Sequence, residues 1–95
     1  MKRLYMMTYR YRDITDERAR QLTKSYLETG PGPGLVAQYE RLDGKGGFAL
    51  YEVPDEEEAA KSFELTLRYQ QWMEFELIPV TTFEDAFPVI QHLYG

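Results

Sequence analysis

The sequence predicts an α+β, ferredoxin-like fold. The expected core is a βαββαβ sheet with helices on one face, extended by a C-terminal helix. Two observations carry this reading. Strand-like and helix-like segments follow one another as strand, helix, strand, strand, helix, strand, helix within 95 residues. The strand-like segments are also rich in tyrosine (Tyr5, Tyr9, Tyr11, Tyr39 and Tyr51), more than a sheet with one solvated face requires.

The first strand is expected over Arg3 to Tyr11. Its two alternating sets, Leu4, Met6, Thr8 and Tyr5, Met7, Tyr9, Tyr11, are both apolar or aromatic. That pattern fits a central strand buried on two faces. Thr15 caps a first helix, with Asp16 and Glu17 at its positive end and Ala19, Leu22, Tyr26 and Leu27 as an apolar stripe. The run Gly30-Pro31-Gly32-Pro33-Gly34 ends it as a stiff connector; its prolines lack the N–H donors of a phosphate cradle.

Leu35 to Leu42 and Phe48 to Val53 form the next two strands, joined by the hairpin signal Asp43-Gly44-Lys45-Gly46-Gly47. Asp55 caps a second helix with two apolar stripes. Ala60, Phe63 and Leu67 are the expected core face; Leu65, Tyr69 and Trp72 fall nearly opposite and are expected at a subunit contact or ligand pocket. Met73 to Val80 is the fourth strand, placed at a sheet edge by Pro79. Thr81 or Thr82 caps a final helix bearing Phe83, Phe87, Ile90 and Leu93, which Pro88 is expected to bend or split.

The whole chain, residues 1–95, reads as one domain. Sixteen acidic against eleven basic residues give a net charge of −5, which argues against nucleic acid or an anionic membrane as partner. The absence of cysteine removes disulfides, thiolate metal sites and iron–sulfur clusters. The apolar run after Met1-Lys2-Arg3 is too short for a signal peptide, and no stretch reaches membrane-span length, so a cytoplasmic location is expected. An RNA-recognition module shares the element order. Gly47-Phe48-Ala49 fits part of its third-strand signature, but the basic position is Gly46 and the second aromatic is Leu50.

Several segments together resemble a bacterial family of small domains of unknown function within the dimeric α/β-barrel superfamily. They are Met1-Lys2, Thr15-Asp16-Glu17-Arg18, the Gly/Pro loop, Gly46-Gly47-Phe48-Ala49-Leu50 and Phe75-Glu76-Leu77-Ile78-Pro79-Val80. The resemblance spans essentially the whole chain and implies a homodimer made by packing two sheets together. It implies no reaction. Better-known members of that superfamily include cofactor-independent and haem-degrading monooxygenases. The haem-degrading type uses an asparagine near the end of strand one, and this sequence contains none.

His92, the single histidine, reads as a solvated helix-end residue, and no metal or bound cofactor is identifiable. Tyr9, Arg10, Tyr39, Tyr51, Tyr69, Trp72 and Glu76 are the candidates for ligand binding or a subunit interface. Glu40 and Glu52 also lie on strands, with Arg10 and Glu76, at candidate positions facing the same cavity. Paired carboxylates there suit acid–base work, and the commoner reading is cross-strand ion pairs or rim charges. The expected function is small-molecule binding or a structural role in a homodimer, with a small apolar ligand as the second candidate partner. One alternative is a cofactor-independent monooxygenase or isomerase acting on an apolar or phenolic substrate between sheet and helices. Tyrosines and Trp72 would line that cavity, with Arg10 or Glu76 polarising the substrate. The other alternative is a protein-interaction module using Leu65, Tyr69 and Trp72.

Overall fold

The computed structural model describes residues 3–95; Met1 and Lys2, expected at the opening of the first strand, lie outside the described residues. The elements are β1 (Arg3–Tyr11), α1 (Asp16–Thr29), β2 (Leu35–Glu40), β3 (Gly46–Val53), α2 (Glu56–Tyr69), β4 (Met73–Val80) and α3 (Phe83–Tyr94). The strands form one antiparallel sheet in the order β2-β3-β1-β4, the ferredoxin-like arrangement with an added C-terminal helix.

Local chemistry sets the element ends. Thr15, Asp55 and Thr82 each cap a helix, their side-chain oxygens accepting from the backbone N–H of Arg18, Glu58 and Asp85. The first turns add acidic side chains at the positive helix end, Asp16 and Glu17 in α1 and three glutamates in α2. β2 ends at Glu40, two residues earlier than its apolar pattern suggests. Arg41 and Leu42 belong instead to the turn, where the Gly44 N–H donates to the Arg41 carbonyl at 3.1 Å. Pro88 does not split α3, which runs unbroken to Tyr94. The proline removes its own N–H donor and its ring crowds the carbonyl four residues back, a local cost that the turns on either side outlast.

β1 is central, between β3 and β4, but it is not buried on both faces. Among its described residues Tyr9 is the one that is buried; the others are half-buried or exposed. Both helix stripes also depart from the expected pattern. In α1, Leu27 is 79% exposed while Leu22 turns inward. In α2 the faces are reversed: Phe63 and Leu67 are exposed, whereas Tyr69 and Trp72 are buried. The inward line of α2 is Ala59, Ser62, Thr66 and Tyr69, at i, i+3, i+7, i+10. Small and hydroxyl-bearing residues hold that line because it borders a cavity rather than a packed core. α2 stops at Tyr69, and Trp72 folds back beneath it, with ring centroids 5.8 Å apart.

Candidate functional site

β-strand alternation sorts the strand side chains onto two faces. Tyr5, Met7, Tyr9 and Tyr11 of β1 turn toward the helices, as do Met73, Phe75 and Leu77 of β4 and Tyr51 and Val53 of β3. Above them stand Leu22, Thr23 and Tyr26 of α1 and the inward line of α2. Sheet and helices border a half-open cavity of about 540 Å³, within the usual range for small-molecule sites. From Tyr5 to Tyr11 it follows β1 for about 20 Å at the strand rise per residue.

One end of the cavity carries its polar chemistry. Tyr9 and Tyr11 each donate a phenolic hydrogen bond to Glu40, one to each carboxylate oxygen. Gln38 Nε2 donates to the Tyr9 hydroxyl oxygen at 3.1 Å, leaving the Tyr9 proton directed at Glu40. The Tyr9 and Tyr11 rings meet edge to face, with centroids 6.0 Å apart. Gly47 stands opposite Tyr9 in the β1–β3 ladder, and a Cβ there would lie 2.7 Å from the Tyr9 ring carbon Cζ. Only glycine lets the phenol lie flat over β3 and reach β2.

The same arrangement alters acidity. Burial, then the hydrogen bond to Glu40, pushes the Tyr9 phenol from 10.0 up to about 12. The Tyr11 phenol is raised for the same two reasons, and Tyr51 by burial and then by Tyr26. These groups are hydroxyls at neutral pH, so they donate and accept hydrogen bonds and supply no phenolate. The folded protein holds the Tyr9 proton more tightly than the unfolded chain does. Its contribution to stability is therefore complete below pH 10.0 and is lost as pH rises through about 12. Equilibrium unfolding at a series of alkaline pH values is expected to show this fall, shallower in Tyr9→Phe. A flat profile across that window would contradict it.

The polar groups that α1 and α2 bring to the wall are largely satisfied within the fold. The Thr29 and Tyr69 hydroxyls lie 2.6 Å apart, and Thr66 Oγ1 donates to the Ser62 carbonyl at 3.0 Å. Ser62 Oγ is buried without a hydrogen-bond partner among the described residues.

The candidates named from sequence fall into three places. Tyr9, Tyr51 and Tyr69 line the cavity. Trp72 is 6% exposed and packs behind Tyr69, outside the lining. Arg10, Tyr39 and Glu76 lie on the opposite, helix-free face, where Tyr39 packs on Phe48 with centroids 5.6 Å apart. Strand parity thus prevents Arg10 or Glu76 from polarising a molecule held between sheet and helices. Gln38, Ser62 and Thr66 were not singled out by sequence, because polar residues on an amphipathic element read as its solvent face. Among the described residues no three histidine, cysteine or acidic side chains converge as a metal site would require, and no helix is long and apolar enough to cross a membrane.

Residues 3–94 match the family model described as Domain of unknown function (DUF3303). The chain belongs to this family. It matches no curated protein and no solved structure. In this DUF3303 chain the cavity and its Tyr–Glu–Tyr end are therefore the features from which a function must be argued.

Proposed function

We propose that this chain is a small-molecule binding protein that holds a largely apolar, ring-bearing ligand between its sheet and its two packed helices. The observation that carries this reading is the cavity of about 540 Å³, walled by tyrosines and aliphatic side chains, with Tyr9, Tyr11, Gln38 and Glu40 joined in one hydrogen-bonded group on its wall. Binding is favoured over turnover. Among the described residues no histidine, lysine or arginine lines the cavity, Glu40 is its single carboxylate, and His92 lies exposed on α3. A thermal-shift screen of neutral ring compounds is the direct test. A compound at a hundred times its Kd should add about 2.7 kcal/mol of stability. Ala59→Phe, which fills the cavity from α2, should abolish that gain. Failure of every ring compound, neutral or charged, to stabilise the native protein would end this reading.

We also propose that the chain works as a homodimer of the dimeric α/β-barrel type. Its accessible surface is 7284 Å², against about 5,700 Å² for a compact monomer of its mass. Its radius of gyration is 15.8 Å, where about 12 Å is usual for this length. The excess lies on apolar groups. Phe48 and Ile78 are exposed on the helix-free face, where Leu4, Met6 and Leu50 are half-buried. On α3, Phe83, Phe87, Val89, Ile90 and Leu93 are all exposed. A second copy covering these groups is the commonest solution. Light scattering is expected to give twice the 11.2 kDa chain mass, reverting to one chain mass in Ile78→Asp. A native monomer would remove this proposal.

A further inference from the structure

Resting on the small-molecule reading above, we infer that the preferred ligand is a small organic ammonium ion, its charged head against Glu40 and its apolar body along the tyrosine-lined cavity. Three observations converge on a cation. Among the described residues Glu40 is the only carboxylate in the lining, and it pairs with no arginine or lysine. Both phenols at that end point their protons at its oxygens, one each, which leaves acceptor sites on the carboxylate. The walls present the rings of Tyr5, Tyr9, Tyr11, Tyr26, Tyr51 and Tyr69, and tyrosine faces attract ammonium groups held within about 6 Å.

The same lining disfavours an anion. Among the described residues no cationic side chain faces the cavity, so a ligand carboxylate or phosphate would meet Glu40 without a counter-charge. The net charge of −5 adds a general field in the same direction. A neutral alcohol could donate to Glu40, but its hydrogen bond lacks the charge assistance that an ammonium group provides.

Trp72 supplies the readout. It is the sole tryptophan and packs against Tyr69, which lines the cavity. Phenethylamine, phenethyl alcohol and hydrocinnamate share one ring and differ in head-group charge. Their binding would be followed by Trp72 fluorescence and by thermal shift, in the native chain and in Glu40→Gln. The amine is expected to bind about tenfold or more tightly than the acid, the alcohol falling between them. Glu40→Gln, at an exposed position, is expected to fold normally and to erase the amine's advantage. Equal binding of the three compounds, tighter binding of the acid, or an advantage that survives Glu40→Gln would overturn the ammonium assignment alone. Absence of binding by all three, together with failure of the neutral-compound screen, would overturn the cavity reading beneath it.

Discussion

Gly46→Ala is expected to lower the free energy of unfolding by about 3–5 kcal/mol, at the top of the range for single substitutions. Gly46 opens β3 opposite Arg10, with φ at 153°, a backbone region that side chains rarely tolerate. A Cβ there would overlap the Tyr9 carbonyl oxygen and lie 2.9 Å from the Arg10 Cα. Both obstacles are backbone of the central strand, so no side chain can swing aside. Relief requires parting β1 from β3 where Tyr9 is aligned over Gly47. Gly44→Ala is the matched control. Its φ is 72°, yet nothing lies within 4 Å of an added Cβ. It should therefore cost only the left-handed strain, about 1–2 kcal/mol. Urea unfolding of the two variants measures the difference. Equal losses would mean that close approach to β1 does not govern this turn.

The contrast between these two glycines bears on how much the sequence disclosed. Asp43-Gly44-Lys45-Gly46-Gly47 announced a hairpin, since few other residue types supply the φ values a tight reversal needs. The string did not reveal that Gly46 and Gly47 serve packing against β1 rather than the turn itself. The order of elements, the caps at Thr15 and Asp55, and the bounds of β1 and β4 were legible because each depends on local chemistry. Which face of a helix looks inward depends on what it meets. A rule that sends the apolar stripe to the core assumes that a close-packed core lies beneath. Under α2 there is a cavity, and the inward line carries Ser62 and Thr66. From sequence Glu40 reads equally as a cavity carboxylate or a rim charge, because its two phenol partners stand 31 and 29 residues away in the chain.

Alanine substitution along α2 puts that reversal to the test. Trp72→Ala is expected to cost about 3–5 kcal/mol, because a large buried ring is removed from a chain with few buried apolar residues. Tyr69→Ala should approach this loss. It removes a ring 9% exposed and one hydrogen bond to the Thr29 hydroxyl, at 2.6 Å, which keeps the Ser25 and Gly30 carbonyls as partners. Phe63→Ala should cost about 1 kcal/mol or less, since its ring is 60% exposed at the cavity edge. The order is the opposite of what the helical periodicity alone suggests, where Phe63 would be the core residue. Ligand binding adds a second discriminator, because Tyr69 lines the cavity and Trp72 does not. A partial truncation, Tyr69→Phe, keeps the ring and deletes only the hydroxyl. It should retain most of the stability while altering the affinity of any ligand seated against Tyr69. If Phe63→Ala proves as damaging as Trp72→Ala, the Phe63 face of α2 must be covered in solution, and it would join α3 and the helix-free sheet face as surface for the proposed second subunit.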